Sequence, residues 1–310
     1  EAVSHYNKAS ELGLATPALF NNRGKARMDK GEMNEALADF SKAIEMDPDF
    51  IVACRNRAQI YIRNKDWEKA LKDLNRICED GDGEDLFQRA EVRMKQEDWS
   101  GAAADLQKAA SVGIESVRIN PPLASCYFNA DDFTNAAKYF EKVVQHDASA
   151  LDAWQGLGIS LYMDEKYEQS EQALSKAIER GNSSKEAFGY RGMSLYRLGK
   201  NDKAFEDLSR VSTMGFTHED AYYFLGNLLL DDNKYETAVV QFNKAIALEP
   251  EKCGALASRA MAYSALSEHE NAIRDISKAI SIEDSPELRK TSGRIQYMAK
   301  NYQKAIELSA

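Results

Sequence analysis

The sequence predicts an all-α solenoid, in which antiparallel helix pairs are stacked one after another along the chain. Three observations predict it: small residues return at an interval close to 34 positions, apolar residues follow them at helical spacing, and the composition suits a packed chain. Of the 310 residues, 44 % are hydrophobic and 29 % are charged, which is too apolar for a disordered protein.

The second helix of each pair, helix B, is defined by an anchor residue that is alanine in nine of ten periods. Apolar residues follow the anchor four and seven positions later, as in Ala36, Phe40 and Ala43. These offsets fall on one face of an α-helix, so this face is predicted to be buried. The anchors are Ala2, Ala36, Ala70, Ala102, Ala136, Ser170, Ala204, Ala238, Ala272 and Ala305.

The first helix of each pair, helix A, carries Gly or Ala twelve residues before the anchor. A larger side chain there would push the two helices apart, so we predict that A and B approach each other closely at this position. These small residues are Gly24, Ala58, Ala90, Ala124, Gly158, Gly192, Gly226, Ala260 and Gly293.

Prolines and glycines mark the helix ends with the same period. Pro17 and Pro286 are predicted to open helix A, because an N–H group in the first turn has no partner within the helix. A left-handed cap after helix B is predicted at five glycines, namely Gly13, Gly81, Gly113, Gly181 and Gly215.

The anchors divide the chain into eight complete units and two partial ones. Residues 1–16 are a lone helix B, residues 17–116 hold units 1 to 3, residues 117–285 hold units 4 to 8, and residues 286–310 hold a truncated unit.

Two adjacent prolines interrupt this pattern in unit 4. Pro121 and Pro122 occupy its fifth and sixth positions, inside the expected helix A. Because proline suits only the first turn of a helix, we predict that this helix starts late, with Asn120 as its N-cap. An irregular joint is therefore expected at 112–122.

The stretch 150–178 carries Trp154, Leu157, Gly158 and Leu161 in an arrangement typical of a known repeat. Together with the period and the small residues at the eighth and twentieth positions, it resembles the tetratricopeptide repeat (TPR) family, over the whole chain. The resemblance implies a right-handed superhelix whose concave side is lined by the A helices. It also implies that positions 2, 5, 6, 9, 12 and 13 of helix A face a bound peptide.

At these positions the chain carries two contrasting sets of residues. Units 1 to 3 provide a polar and basic set, expected to bond a peptide backbone and pair with carboxylates: Asn21, Asn22, Lys25, Arg55, Asn56, Gln59, Arg63, Gln88 and Lys95. Units 4 to 7 provide an aromatic and methionine set, expected to hold apolar side chains or an amphipathic helix: Phe128, Ile159, Tyr162, Met163, Tyr190, Met193, Tyr196, Tyr223 and Phe224.

Exposure is expected to differ within the aromatic set. Position 12 often packs partly between units, so Phe128, Tyr162 and Tyr196 are expected to be partly buried in the core. Positions 5 and 6 are expected to be exposed in the groove, which applies to Tyr190, Tyr223 and Phe224.

The polar set matches two finer motifs of the family only in part. Asn22 and Asn56 resemble the asparagine ladder with which some TPR proteins hold peptide backbones, although the ladder fades at Gln88. The carboxylate clamp that captures chaperone tails is disfavoured, because Val52 and Asn56 stand where that pattern needs a basic pair.

Several classes of function are disfavoured by composition and motifs. A net charge of −10 argues against a nucleic-acid or anionic-membrane binder, and no apolar run is long enough for a membrane-spanning helix. We found no phosphate-binding glycine loop, no nucleophile elbow and no clustered histidines, so no catalytic residue, metal or cofactor is predicted. The cysteines are predicted to be buried thiols in a reducing, cytoplasmic compartment: Cys54, Cys78, Cys126 and Cys253.

The sequence thus predicts a non-catalytic scaffold or adaptor that binds a peptide or helical segment of a partner protein in its groove. An alternative is the partner- or substrate-selecting arm of a larger enzyme whose catalytic domain lies elsewhere in the parent chain. The segment 300–310 keeps the apolar face of helix B without a polar cap, so continuation of the parent chain, or self-association through uncapped ends, is also expected.

Overall fold

The computed structural model describes residues 1–78 and 82–309. These residues form nineteen α-helices and no β-strand, which confirms the all-α solenoid of helix pairs; none of these helices combines the length and hydropathy needed to cross a bilayer. Odd-numbered helices are B helices and even-numbered ones are A helices. In chain order they are α1 (Ala2–Glu11), α2 (Pro17–Asp29), α3 (Met33–Met46), α4 (Ile51–Arg63), α5 (Trp67–Ile77), α6 (Gly83–Lys95), α7 (Trp99–Ser111), α8 (Ser116–Asn129), α9 (Phe133–His146), α10 (Leu151–Met163), α11 (Tyr167–Glu179), α12 (Lys185–Arg197), α13 (Asn201–Thr213), α14 (Glu219–Asp231), α15 (Tyr235–Leu248), α16 (Cys253–Ala265), α17 (His269–Ile282), α18 (Pro286–Met298) and α19 (Tyr302–Ser309).

The chain divides into two compact units, Glu1–Asp147 and a second that begins at Ala148. The first unit holds α1 to α9 and the second holds α10 to α19. Within each unit every helix packs against its neighbours in the chain, so an inner A helix lies between its own B helix and the preceding B helix. The predicted joint at 112–122 falls inside the first unit.

The close approach of A and B helices depends on the small residues of the repeat. Gly226 on α14 faces Phe242 on α15, and a Cβ atom built on Gly226 would lie 2.5 Å from Phe242 Cε1. The anchor of the same pair, Ala238, is completely buried. A larger residue at either position would separate the two helices.

The helix ends use the residues that the pattern indicated. Pro17 stands in the first turn of α2, and the Thr16 side chain accepts a hydrogen bond from Leu19 N at 3.2 Å. Positive φ angles close α1, α7, α11 and α13 at four glycines, namely Gly13, Gly113, Gly181 and Gly215. The fifth predicted cap, Gly81, lies outside the described residues.

The prediction that helix A of unit 4 starts late at Asn120 is wrong. Helix α8 begins at Ser116, and Pro121 and Pro122 lie inside it. The first turn forms before the prolines, with Ile119 N donating to Glu115 O at 3.2 Å. Two buried side chains, Ile119 before the prolines and Leu123 after them, hold both parts of the helix against the core. We infer that this packing offsets the hydrogen bonds that the prolines cannot make.

Buried ion pairs join the two helices in five repeats. In each pair, an arginine of helix A donates two hydrogen bonds to an aspartate sixteen residues later on helix B, at 2.6–3.0 Å. Each aspartate is at most 6 % exposed. The pairs are Arg23–Asp39, Arg57–Asp73, Arg89–Asp105, Arg191–Asp207 and Arg259–Asp275.

The same arginines also reach the preceding helix pair. Arg57 Nη1 donates to Ser41 Oγ on α3 at 2.9 Å, so one guanidinium bonds α5 and α3 at once. The other four arginines contact Asn7, Asn75, Ser175 and Asn243 in the same way. These contacts join neighbouring repeats as well as the helices of one repeat.

Three repeats have no such ion pair at these positions and carry leucine in place of the arginine. Leu157 and Ala173 stand at the two positions in one of them, and both are buried. In another of these repeats, Leu225 stands at the arginine position and Gln241 at the aspartate position. The Gln241 Oε1 atom is buried and has no partner within the described residues. The arginine and the aspartate are thus present together or absent together in these repeats.

We expect Arg57→Leu to lower the free energy of unfolding by roughly 3 kcal/mol, because the buried Asp73 carboxylate would lose its partner. The double variant Arg57→Leu/Asp73→Ala copies the Leu157–Ala173 repeat and should recover most of that loss. Urea unfolding followed by circular dichroism measures both. Equal stability of the single and double variants would contradict the explanation.

We expect Gly226→Ala to destabilise the second unit by about 1–3 kcal/mol, because its methyl group would overlap the Phe242 ring. This loss should exceed the gain in helix propensity that alanine brings. Adding Phe242→Leu should restore part of the thermal stability of Gly226→Ala. A further loss in the double variant would show that the ring is not the obstacle.

Candidate protein-binding surface

The A helices face the inner side of the second unit. Successive A helices contact each other there, α10 with α12, α12 with α14, α14 with α16 and α16 with α18. Successive B helices have no comparable contact in the described chain. In the first unit, α2 and α4 make the same kind of contact. All of the residues predicted to face a partner lie on A helices.

The amides predicted in the first unit are partly used within the protein. Asn56 Nδ2 donates to Asn21 Oδ1 at 2.9 Å, and Asn21 Nδ2 donates to Asn22 Oδ1 at 3.3 Å. Asn21 is only 5 % exposed, so its expected exposure in the groove is wrong; it connects the other two amides instead. Asn22 is exposed and Asn56 is half-buried.

Arg55 is bound by an aspartate of the neighbouring A helix. Its Nε and Nη2 atoms donate to the two carboxylate oxygens of Asp85 on α6 at 2.7 and 2.6 Å. These hydrogen bonds raise the pKa of Arg55 above its usual value. The expectation that Arg55 pairs with a partner's carboxylate is wrong in this structure, because Asp85 already fills that role.

The remaining polar residues stay accessible to different degrees. Lys25, Arg63 and Lys95 are exposed and have no ion pair among the described residues. Gln59 is half-buried. Gln88 is half-buried too, and its Oε1 atom is shielded from solvent without a hydrogen-bond donor in the described chain.

Four residues of the aromatic set belong to the core and not to an exposed surface. Met193 is fully buried, Phe224 is 2 % exposed, and Tyr162 and Ile159 are 7 % and 8 % exposed. The expected exposure of Phe224 at position 6 is therefore wrong. Its ring stacks on Tyr196 with centroids 4.3 Å apart, because the neighbouring A helix is close enough to cover it.

The other members of the aromatic set keep some exposed surface. Tyr190, Tyr196 and Tyr223 are half-buried, and Met163 is 44 % exposed. Tyr196 Oη accepts a hydrogen bond from Asn227 Nδ2 at 3.1 Å, which orients its ring. Phe128, in the first unit, is half-buried and packs edge-on against Phe133 and Phe140 of its own repeat.

A cation lies within the aromatic cluster of the second unit. The Arg197 guanidinium lies 4.9 Å from the centre of the Phe224 ring and 5.8 Å from that of Tyr167. Burial raises the pKa of the neighbouring Tyr162 phenol well above its usual range, so this hydroxyl stays protonated at physiological pH. Tyr162 and Arg197 therefore help to hold the cluster together.

A cavity of about 380 Å³ lies between α14, α16 and α18, beyond the residues singled out from the sequence. Leu230, Met261, Arg294 and Met298 are among its lining residues. The sequence carried a signal for them, since these residues occupy positions 12, 9, 9 and 13 of helix A in the last three repeats.

Three adjacent residues at the start of α14 are the one group of potential metal ligands found in the described residues. One ligand atom each of His218, Glu219 and Asp220 lies within 4.8 Å of the others. His218 Nδ1 accepts a hydrogen bond from Asp220 N at 3.2 Å, which caps the helix. Asp220 pairs with Lys252 Nζ at 2.8 Å. These groups are engaged in the local structure of α14.

Comparison with known proteins settles the family. Models of the tetratricopeptide repeat match residues 17–50, 122–185, 156–215, 219–252 and 254–286, which together make up more than half of the chain. The chain belongs to the tetratricopeptide repeat family. The TPR fold is typically a non-catalytic scaffold.

Curated TPR relatives match short parts of the chain. Mouse (Mus musculus) sperm-associated antigen 1 is 32 % identical over 89 residues, which are 29 % of this chain and 10 % of that protein. The Hsp70-Hsp90 organizing protein of Triticum aestivum is 32 % identical over 72 residues, 23 % of this chain and 12 % of that protein. The SGT1 homolog of Oryza sativa subsp. japonica is 32 % identical over 88 residues, 28 % of this chain and 24 % of that protein. The chain thus spans between a tenth and a quarter of these relatives.

Solved TPR structures are similar at lower sequence identity. YrrB, described as a TPR protein with an unusual peptide-binding site, is 21 % identical with a TM-score of 0.49, covering 64 % of this chain and 99 % of that one. The MamA protein is 22 % identical with a TM-score of 0.45, covering 55 % of this chain and 93 % of that one. These likenesses concern the fold alone.

The cysteines of this TPR chain differ in their access to reagents. Cys54, Cys78 and Cys126 are buried as predicted, whereas Cys253 is partly exposed, so the prediction of a buried thiol is wrong there. Burial raises the pKa of Cys78 and of Cys126 to about 11, so both remain protonated thiols near neutral pH. Because the thiolate is the reactive form, these side chains are poor nucleophiles.

We expect iodoacetamide at pH 8 to modify Cys253 first in the native protein and the other three cysteines only after unfolding in urea. Mass spectrometry of the digested protein measures each site. Cys253→Ser should leave the native protein almost unlabelled, and rapid labelling of native Cys78 would contradict the assignment of its high pKa to burial.

Proposed function

We propose that this chain is a non-catalytic adaptor that binds a segment of a partner protein on the inner face of its A helices. Membership of the TPR family supports this role, since its fold is typically a scaffold. Relatives that include an Hsp70-Hsp90 organizing protein support a protein as the partner.

The observation that carries the proposal is a row of free cations on the A helices of the first unit. Lys25 on α2, Arg63 on α4 and Lys95 on α6 are exposed, and none has an ion pair in the part of the chain that the structure describes. Five other arginines of the A helices are bound by buried aspartates. Unpaired cations on a protein with a net charge of −10 fit an acidic partner segment.

Amide groups beside these cations suit an extended peptide. Asn22 is exposed and Asn56 and Gln59 are half-buried on the same helices. A side-chain amide can donate to a peptide carbonyl and accept from a peptide N–H group. The Oε1 atom of Gln88 has no donor in the described chain but is shielded from solvent, so the exposed Asn22 is the more accessible amide for a ligand.

Two carboxylates restrict where an acidic ligand fits. Asp29 and Glu91 are also exposed on α2 and α6. An acidic side chain placed against them would be repelled, whereas one placed against Lys25 or Lys95 would be attracted. The row therefore selects the spacing of charges in the ligand as well as their sign.

A chaperone tail is not the partner that this arrangement favours. The carboxylate clamp has a basic pair where this chain carries Val52 and Asn56. Val52 is 46 % exposed, and Asn56 is hydrogen-bonded to Asn21.

The second unit offers apolar contact for a partner side chain, through the half-buried Tyr190, Tyr196 and Tyr223 and the exposed Met163. We propose a reducing, cytoplasmic setting because the cysteines are free thiols.

We expect the triple variant Lys25→Glu/Arg63→Glu/Lys95→Glu to weaken partner binding about tenfold or more, because each change turns an attraction into a repulsion. The measurement is quantitative capture of cellular proteins on the immobilised chain, followed by titration of the captured partner. All three side chains are exposed, so the melting temperature should stay near that of the unchanged protein.

The matched control is Lys8→Glu/Lys72→Glu/Lys108→Glu, which reverses three exposed lysines on the B helices α1, α5 and α7. It changes the net charge by the same amount, so it should keep the partner if the inner face is the site. A partner that binds both triple variants equally well would refute the proposed surface.

A further inference from the structure

We propose that the second unit recognises its partner through the cavity between α14, α16 and α18. The occupant is a peptide segment in which one apolar side chain is flanked by a basic residue on one side and an acidic residue on the other. This rests on the function proposed above and specifies the chemistry of the segment that the second unit binds.

The cavity has room for a large apolar side chain together with the polar groups that flank it in a peptide. Its volume is about 380 Å³, within the range of ligand-binding clefts. Leu230, Ala265 and Ile295 form apolar parts of the wall. A leucine, methionine or phenylalanine side chain would occupy part of this space and displace water from the apolar wall.

Two methionines at the cavity remain open to solvent. Met261 is 38 % exposed and Met298 is 52 % exposed, and both line the cavity. The Ser264 hydroxyl lies 3.4 Å from Met298 Sδ and donates to it, which keeps this side chain at the wall. Methionine adapts its shape to an incoming apolar group, so these two residues can close around the occupant.

Opposite charges flank the apolar centre. Asp231 on α14 and Arg294 on α18 both line the cavity, and neither has an ion pair in the described residues. Helix α16 contacts both α14 and α18, so it lies between the two charged residues. Its own arginine, Arg259, is bound by Asp275 and is not available to a ligand.

These charges determine the chemistry of the occupant. A segment that crosses the three helices places its basic residue near Asp231, its apolar side chain over α16 and its acidic residue near Arg294. The reverse order would bring like charges together on both sides and is disfavoured. Lys290 lies one turn before Arg294 on α18 and is exposed, which adds positive charge at the acidic end of the ligand.

The probe for this proposal is a phage-displayed library of random peptides, selected on the immobilised full chain. Enriched peptides should share an apolar residue between a basic and an acidic one. Ala265→Trp should weaken their binding about tenfold or more, because the indole ring would occupy the part of the cavity beside α16. Arg294→Glu should weaken the binding of the same peptides to a similar degree. Peptides whose acidic residue is replaced by lysine should regain affinity for Arg294→Glu, which loss of folding cannot explain.

Matched controls are Ala247→Trp and Arg274→Glu, which alter exposed residues of the B helices α15 and α17. Both should bind the selected peptides like the unchanged chain. If the selected peptides bind all four variants equally, the cavity proposal is overturned while peptide binding elsewhere on the A helices stands. If no peptide is enriched, the cavity proposal is overturned as well, and the charge-reversal experiment on the first unit then decides the adaptor role by itself.

A second copy of the chain is the competing occupant. Light scattering of the free protein tests it, because Ala265→Trp would then lower the average mass at high concentration and Ala247→Trp would not. That result would overturn the peptide assignment. An unchanged mass together with lost peptide binding supports it.

Discussion

Buried aspartates on the B helices determine which cations of the A helices are free. Each of the five aspartates binds an arginine through two hydrogen bonds, and that arginine also contacts the preceding helix pair. Because a buried carboxylate without a partner is costly, these arginines are committed to the fold. Arg55 is likewise held, by Asp85 of the neighbouring A helix, so Lys25, Arg63 and Lys95 are the cations of the first unit that are left to meet a partner. Stability and recognition thus use different positions of the same helix.

The fold could be predicted from the sequence because the residues that indicate it lie close together in the chain and recur from one repeat to the next. The anchor alanines and the facing glycines report the distance between two helices of one pair, because both lie where these helices meet. Helix ends followed for the same reason. Pro121 and Pro122 were misjudged because helix α8 is held by buried residues on both sides of them, which is a property of packing and not of proline itself.

Exposure of individual groove residues was harder to predict, because it depends on the neighbouring repeat. Phe224 is covered by Tyr196 from the helix before it, and Arg55 is taken by Asp85 from the helix after it. Both partners lie about thirty residues away, and the family pattern does not specify them. The Arg57–Asp73 spacing of sixteen residues, by contrast, recurs in five repeats and could have been recognised.

The pairing of Arg57 with Asp73 lies wholly inside one repeat, as does the replacement of both residues by Leu157 and Ala173. Duplication or exchange of an entire repeat therefore carries both halves of the pair to the new place. A recombination breakpoint between the two helices of a hairpin could instead join an A helix that carries the arginine to a B helix that carries alanine. The arginine would then lack its carboxylate partner. Boundaries that fall between hairpins keep the buried aspartate of each such pair with its arginine.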